Sequence, residues 1–360
     1  MNTQASRDVR PTAGNEPGFL DRILRPPSYG WQDANGALIV PTKGQVIREA
    51  LSRTNVFASS KRWVAFAGWF WVLCLSPFVV LFFFKYFTWW GLAAGFAYGM
   101  VMMGTHGTVW FHRYSTHRAY TFRNAFWREL TRQLVIKVLP EETYVVSHHV
   151  HHAKSDQPGD PYNARGGFLY CFLADANHQP IEPNLSEVDY ARVAGLLAHT
   201  GVRCNSYAEY QRWGSIANPY RTFAVAALNW AVWYAIFYAI GGAHLAVAIF
   251  GGACVWALGV RTFNYEGHGR GDDKRRDGVD FNRNDLSINQ MWPGFVSGEW
   301  HNNHHMFPNS ARAGFLPYQL DLAWVYISFL HRIGAVSSYN DSRPAFYDKF
   351  VAAPEVEAVN

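Results

Sequence analysis

The sequence is poor in charged residues and in cysteine. Charged residues occupy only 16% of the 360 positions, and the four cysteines include no CxxC pair. This cysteine set excludes a disulfide framework, a cysteine-rich zinc site and a cysteine-held iron–sulfur cluster. The net charge is a modest +5, and basic runs such as Lys274-Arg275-Arg276 are flanked by acidic residues, so we expect no nucleic acid partner.

Long uncharged runs stand where charges are missing. Residues 63–84 form a run of 22 positions without a formal charge, enough for a helix across roughly 30 Å of hydrocarbon. A second run, 89–111, follows after four residues, and a third and fourth, 222–240 and 245–260, are joined in the same way. Because connections this short force neighbouring helices to be antiparallel, we expect an all-α integral membrane protein with four transmembrane helices in two hairpins.

Basic residues predict the orientation of these hairpins. They flank the ends of the runs that lie away from the hairpin tips: Lys61, Arg62, Arg113, Arg118, Arg212, Arg221 and Arg261. The positive-inside rule then places both termini and residues 112–221 in the cytosol, in a multi-pass protein of the cell inner membrane that contacts membrane lipid. The start, MNTQASRDVR, has no apolar stretch, so we expect no cleavable signal peptide. The expected organisation is a cytosolic N-terminal segment (1–60), a membrane domain (61–335) and a C-terminal tail (336–360).

Histidine is abundant, and its distribution is uneven. HRYSTH follows the second run, SHHVHH carries an HxxHH pattern, NYEGHG follows the fourth run, and HNNHH repeats HxxHH. The topology, assigned without reference to histidine, places all four motifs on the cytosolic side, so we expect them to form one site in a cytosolic helical cap. The histidines of these patterns are His112, His117, His148, His151, His152, His268, His301, His304 and His305.

Nine imidazoles exceed the needs of one transition-metal ion, which predicts two. Imidazole suits Zn, Cu, Fe and Ni, and the lack of nearby cysteine disfavours structural zinc, so a pair of redox-active irons fits best. At about 100° per residue, the adjacent histidines of HxxHH diverge and can face two ions, while the first histidine approaches either. In HRYSTH the two histidines lie about 140° apart on an α-helix. Either the helix ends within that motif or each histidine serves a different ion.

The motifs resemble the histidine boxes of the integral-membrane fatty acid desaturases, HxxxxH, HxxHH and HxxHH around two hairpins. The resemblance covers about residues 60–335 and implies a di-iron oxidoreductase that uses O2 and two electrons to take hydrogen from a fatty acyl chain. It implies that the nine histidines ligate two Fe ions (Fe2+/Fe3+), and that Asn264 contacts one iron through water. His149 matches a box position that does not ligate, where we expect a hydrogen-bonding neighbour. His106, a polar residue inside the second run, is a candidate neighbour of the ligands.

Carboxylates are expected to orient the imidazoles. The candidates are Asp156 and Asp160 in AKSDQPGDPYN, Glu266 in NYEGHG and Glu299 immediately before the last box. The remaining histidines are assigned structural roles: His178, His199, His244 and His331.

One stretch departs from the pattern of acyl-CoA desaturases. EETYVVS, residues 141–147, stands where a tryptophan is common, and the tract that continues through GDPYNARGGFLY resembles a bacterial branch related to the membrane fatty acid decarboxylases. Desaturation is favoured by the three boxes, but oxidative decarboxylation of a free fatty acid to a terminal 1-alkene would use the same ligands. Hydroxylation of an alkyl chain is a third outcome. NYEGHG is similar to a stretch of the membrane alkane hydroxylases, whereas the spacing of HRYSTH is that of the desaturases.

The chain carries no recognisable electron-transfer motif, neither GxGxxG after a strand nor a haem-type His-Pro-Gly-Gly. Electrons are therefore expected from a separate donor such as a ferredoxin, a rubredoxin or a cytochrome b5-like protein with its reductase. The basic residues Arg270, Lys274, Arg275 and Arg276 are candidates for its docking site. A non-enzymatic alternative is a membrane metal-binding or transport protein. It is disfavoured because the histidines cluster outside the predicted spans.

Overall fold

The computed structural model describes residues 18–177, 181–271 and 300–351, and most of these residues are helical. The first two helices are α1 (Phe19–Arg22) and α2 (Lys43–Thr54). Thr42 begins α2 because its hydroxyl accepts the Gln45 N–H while the Gln45 side chain accepts the Thr42 N–H, which satisfies two donors that a helix start leaves open.

The first apolar hairpin follows. Its first arm is α3 (Trp63–Leu81), preceded by the 3-10 turn Ser60–Arg62 and extended by the π-helical segment Phe82–Tyr86. The second arm contains α4 (Trp89–Phe96) and α5 (Gly104–Gly107), each continued by a π-helical segment, Ala97–Met103 and Thr108–Thr116 respectively. The helical path thus runs five residues beyond the predicted end of the second span at 111, through most of HRYSTH.

A helical and irregular layer lies between the hairpins in sequence. It comprises β1 (Tyr120–Phe122), α6 (Ala125–Gln133), α7 (Glu141–Lys154), the 3-10 turn Ala164–Gly166, α8 (Phe168–Phe172), α9 (Ala174–Asn177), α10 (Glu187–Leu197), the 3-10 turn Ala198–Thr200 and α11 (Tyr207–Trp213).

The second hairpin consists of two helical arms that meet at a kink. α12 spans Pro219–Gly259 and contains two non-helical residues, Gly241 and Gly242. Gly242 has a φ of 63°, a left-handed conformation that glycine adopts without a Cβ clash. The break falls between the predicted third and fourth spans. Among the described residues, two helical segments are long and apolar enough to cross a membrane, Ser60–Tyr86 and Pro219–Gly267.

The rest of the described chain closes over one end of the hairpins. It contains the 3-10 turn Val260–Thr262, α13 (Phe263–Gly267), the 3-10 turn Gly269–Gly271, α14 (His301–Met306), α15 (Leu322–Arg332), β2 (Val336–Tyr339) and α16 (Arg343–Phe350). β1 and β2 pair antiparallel, with Tyr120 opposite Tyr339, so the fold includes a small sheet that an all-α prediction omits. Residues beyond 335 pack on the domain, because Phe346 is fully buried against Phe315.

Glycines bring the two hairpins into direct backbone contact. A Cβ added at Gly99 would lie 2.5 Å from the Gly252 carbonyl oxygen, and one added at Gly95 would lie 2.6 Å from the Ala248 carbonyl oxygen. The GxxxG spacing of Gly95 and Gly99 is typical of closely packed apolar helices, because it removes side chains from one stripe. This contact connects the helix that enters HRYSTH to the helix that leads to NYEGHG.

Two basic residues used to predict orientation turn out to be buried in ion pairs. Arg113 is fully buried, donates to the Ala311 carbonyl oxygen at 2.6 Å and pairs with Asp321 at 3.0 Å. Arg261 pairs with Asp175 at 2.6 Å. A charge compensated inside the protein does not report on the membrane surface. These two residues therefore carry less of the orientation argument than their sequence positions implied.

Candidate metal centre

The structure brings all nine predicted histidines into two adjacent groups. The five-histidine group comprises His112, His117, His148, His152 and His304, and the four-histidine group comprises His151, His268, His301 and His305. Within each group, one ring nitrogen of every member lies within 4.8 Å of the corresponding nitrogens of the others. Each group can therefore surround a single ion.

Helix periodicity explains how the two HxxHH motifs divide between the groups. On α7, His148 and His152 join the five-histidine group while His151 joins the four-histidine group. On α14, His301 and His305 lie in one group and His304 in the other. The adjacent histidines separate as predicted, and in both motifs the first histidine associates with the residue four positions later, 40° away on the helix rather than 60°.

HRYSTH uses a different local geometry. The segment Thr108–Thr116 is π-helical, and His117 is the residue that caps its end. Because a π-helix is wound more loosely than an α-helix and forms hydrogen bonds between residues five apart rather than four, His112 and His117 come to the same side, with ring centroids 5.1 Å apart. The helix therefore ends within the motif. The alternative, in which its histidines serve different groups, is wrong.

In each group, several ring nitrogens converge on one point at hydrogen-bond distances. His304 Nε2 lies 2.7 Å from His112 Nε2 and 3.0 Å from His152 Nε2. In the other group, His301 Nε2 lies 2.8 Å from His268 Nε2 and 3.1 Å from His305 Nε2. A neutral imidazole carries one N–H, so a ring nitrogen that faces two others, such as His304 Nε2 or His301 Nε2, cannot form a linear hydrogen bond with both. A cation at the centre of each group satisfies such a donor set.

Burial favours the neutral form, which metals bind, for eight of these imidazoles. Burial first, and the charges of neighbouring histidines second, hold the pKa of seven of them well below the usual 6.5: His112, His117, His148, His152, His301, His304 and His305. Burial also lowers the pKa of His268, although its hydrogen bond to Asp156 opposes that effect. Within the described residues, the buried Nε2 atoms of His117 and His151 have no hydrogen-bond partner, as expected of metal ligands.

Two of the predicted carboxylates contact the site, and both contact the four-histidine group. Asp160 is buried and its Oδ1 lies 2.8 Å from His151 Nδ1. Asp156 lies 3.1 Å from His268 Nδ1. Each leaves the Nε2 of its histidine free for the group interior. Glu266 instead binds Arg270 at 2.7 Å, so its expected contact with a histidine is absent, and Glu299 lies outside the described residues.

Asn264 lies one helical turn before His268, and the His268 N–H donates to the Asn264 carbonyl oxygen. The Asn264 side-chain oxygen is buried and has no hydrogen-bond partner among the described residues. An acceptor in that condition suits a water held near the four-histidine group. This environment is compatible with the water-mediated iron contact that the resemblance implies for Asn264.

The other histidines lie outside both groups. His199 faces the Tyr114 carbonyl oxygen at 3.1 Å, His331 faces the Val336 carbonyl oxygen at 3.0 Å, and the His244 ring packs on Tyr86. His106 is buried but joins neither group, and His149, next to His148, joins neither group. His178 lies outside the described residues.

Some contacts around the site could not be read from the motifs. Tyr144 stacks on His148, with ring centroids 4.9 Å apart. It lies in the stretch EETYVVS, where acyl-CoA desaturases commonly have a tryptophan. The Tyr162 hydroxyl lies 2.7 Å from the Ser147 hydroxyl, and its ring lies 5.6 Å from that of His151. An aromatic residue one turn before HxxHH was a detectable signal, because positions four apart share a helix face.

Comparisons with known proteins agree with this geometry. The sequence model of the family described as fatty acid desaturase matches residues 87–339. The chain is 27% identical to an sn-1 stearoyl-lipid 9-desaturase of Anabaena variabilis over 70% of this chain and 85% of the relative. It is 27% identical to delta-9 acyl-lipid desaturase 2 of Arabidopsis thaliana, over 82% and 89%.

A third relative has a different reaction. The chain is 28% identical to a hex-5-enoyl-[acyl-carrier protein] acetylenase of Moorena producens (strain JHB) over 69% of this chain and 78% of the relative. The family match begins just before the second arm of the first hairpin and extends past HNNHH, and so contains every histidine of the two groups. This chain is a member of the fatty acid desaturase family.

Proposed function

We propose that this protein is a membrane oxidoreductase that desaturates a fatty acyl chain with O2 and two electrons at a pair of irons. The observation that carries the proposal is the convergence of nine histidines, six buried and three partly buried, into two adjacent groups. Imidazole-rich sites suit iron, copper, nickel and zinc, and no cysteine contributes to either group. Of these metals, iron in pairs fits both the donor set and the family.

The reaction removes one hydrogen from each of two neighbouring methylenes. Its balance is –CH2–CH2– plus O2, two electrons and two protons, giving –CH=CH– and two water molecules. Bound iron would supply the oxidant, which protein side chains cannot provide. The polypeptide holds the imidazoles neutral, orients His151 and His268 through Asp160 and Asp156, and buries the site to limit access of bulk water.

Oxidative decarboxylation is an alternative that the same residues could support. In that reaction a free fatty acid, O2, two electrons and two protons yield a terminal 1-alkene, CO2 and two water molecules. The acetylenase among the relatives supports the broader class of acyl-chain oxidations. The two reactions differ in carbon count, so product analysis separates them, and it also detects a hydroxylated product.

The membrane placement belongs to the same proposal. Large apolar side chains on the outward sides of both hairpins are exposed, among them Phe84, Trp89, Leu228 and Ile240. Lipid contact is the simplest use of such surfaces. We propose four spans, with both termini and the histidine groups on the cytosolic side of the inner membrane.

Electrons would come from a separate donor that docks on that side. Arg270 is exposed and pairs with Glu266, while Lys274, Arg275 and Arg276 lie outside the described residues. A ferredoxin, a rubredoxin or a cytochrome b5-like protein with its reductase fits the requirement for one-electron delivery.

The test combines metal analysis with product identification. Purified protein should contain about two irons per chain. With an electron donor and O2, it should convert a fatty acyl substrate to a product two hydrogens lighter, with its carbon count unchanged. His304→Ala should abolish turnover and lower iron content, whereas His244→Ala, outside both groups, should leave both near wild type. Stoichiometric zinc without iron-dependent turnover would contradict the proposal.

A further inference from the structure

A cavity with polar walls lies at the start of α7, the helix that carries the first HxxHH motif. A cavity of about 150 Å³ is enclosed by the loop before α7, the first turn of α7, residues 201–203 and the start of α12. Glu141 lines this cavity, and His148 lies seven residues further along α7, about 10 Å at 1.5 Å per residue. The cavity is thus close to the histidine groups but separate from them.

Cations outnumber carboxylates around this cavity. Arg132, Lys137, Arg203 and Arg221 line it, together with Glu141 and Glu142. Such an excess of positive charge in a partly enclosed space favours an anion.

The two carboxylates are already engaged. Glu141 accepts from Arg132 Nε at 2.7 Å and from Lys137 Nζ at 3.4 Å. Glu142 accepts from the Ser215 hydroxyl at 2.6 Å and from the Ile216 N–H at 3.1 Å. Neither carboxylate pairs with Arg203 or Arg221 within the described residues.

Those arginines have no ion pair within the described part of the chain. The Arg221 guanidinium donates from Nη1 to the Arg203 carbonyl oxygen at 3.1 Å. Glu209 acts electrostatically on both arginines, but its carboxylate accepts from the Ser206 N–H and hydroxyl. Guanidinium groups suit the two oxygens of a carboxylate or a phosphate.

The remaining wall is apolar and belongs to the long helices. Trp71 of α3 and Val225 of α12 line the cavity together with Leu139. A cavity lined by cations on one part of its wall and by apolar residues of α3 and α12 on another suits an amphiphile. The anionic head group of an amphiphile contacts cations, and its chain contacts apolar surface.

We propose that this cavity binds the anionic head group of the acyl substrate, a carboxylate or a phosphate. This inference rests on the proposed function, because it assigns the site to the substrate of that reaction. Holding the head group about 10 Å from His148 would leave several carbons between the head and the reacting methylenes. The position of the new double bond should then be counted from the head-group end at every chain length.

The first experiment measures binding to the purified full-length holoenzyme at constant detergent by equilibrium dialysis. The probes are radiolabelled palmitic acid, its methyl ester and 1-palmitoyl lysophosphatidate. Arg221→Gln should raise the Kd for the anionic probe about tenfold, because it removes a charge-assisted contact, and should leave the methyl ester unaffected. Arg203 is exposed, so Arg203→Gln should fold and show the same selectivity. Arg212→Gln, a nearby arginine that packs on Trp213 outside the cavity, is the matched control.

The outcomes separate the two proposals. Cation-dependent binding of palmitic acid assigns the site to a free acid, and cation-dependent binding of lysophosphatidate alone assigns it to a lipid phosphate. Either result supports an anion site. Equal losses for the methyl ester, or unchanged binding in both variants, would overturn it even if the enzyme still desaturates. Selective binding without any acyl oxidation would instead keep the site and refute the proposed function.

Discussion

Replacing Asp160 by asparagine should loosen one of the two metals and leave the other. Asp160 Oδ1 accepts from His151 Nδ1 and from the Tyr162 N–H, each at 2.8 Å, and its Oδ2 accepts from the Asp156 N–H at 2.8 Å. An amide has one acceptor oxygen, so its NH2 must face an N–H donor. If this NH2 group faces the Asp156 N–H, Asp156 is displaced, and its contact with His268 shifts as well.

Two histidines of the four-histidine group therefore depend on this one carboxylate, directly or through Asp156. Loss of such an orienting partner costs about 10- to 100-fold in metal affinity, equivalent to about 1.4 to 2.7 kcal/mol. Asp160 and Asp156 both contact rings of the four-histidine group, so the five-histidine group should keep its affinity.

The assay is iron content after timed exposure to a graded chelator, read by elemental analysis. Wild-type protein should retain about two irons per chain under conditions where Asp160→Asn retains about one. Asp189→Asn, which replaces a carboxylate paired with Arg22, is the matched control and should behave as wild type. Equal loss of both irons in a folded Asp160→Asn protein, or loss of neither, would refute the reasoning.

Three further predictions test packing, protonation and topology. Gly252→Ala should destabilise the hairpin contact by about 1 to 3 kcal/mol, because its Cβ would overlap the Gly95 carbonyl group, whereas Gly195→Ala has open space and should not lower the melting temperature. Burial raises the pKa of Glu142 from 4.5 to about 7, so its contribution to stability is lost as pH rises through that interval. Glu142→Gln should flatten the pH profile of thermal stability by up to about 3 kcal/mol, and an unchanged profile would contradict this. A cysteine replacing Gly242, at the predicted outer tip, should react with a membrane-impermeant reagent in intact cells, and reaction only after lysis would reverse the proposed orientation.

Local geometry was predictable from sequence wherever a single element decided it. The separation of His151 from His152, and of His304 from His305, follows from 100° per residue and needs no tertiary information. The connection at Gly241 and Gly242 was likewise predictable, because two glycines between apolar runs favour a change of direction. The boundary within HRYSTH was not, because the choice between an α- and a π-helical path depends on what the segment packs against.

Only the tertiary structure decided which distant residues meet. Asp160 and Asp156 contact histidines while Glu266 pairs with Arg270, although the sequence makes all three candidates for orienting the imidazoles. The position of Arg113 after an apolar run predicts a surface charge, but Asp321, 208 residues later, pairs with it in the interior. Motif spacing reports the face of one helix, whereas ion pairs and shared sites depend on contacts between elements far apart in the chain. The amino-acid sequence alone therefore determined the donor set and the separation of the adjacent histidines in each HxxHH motif, and the packing of the hairpins and the layer over them decided the partners of those histidines.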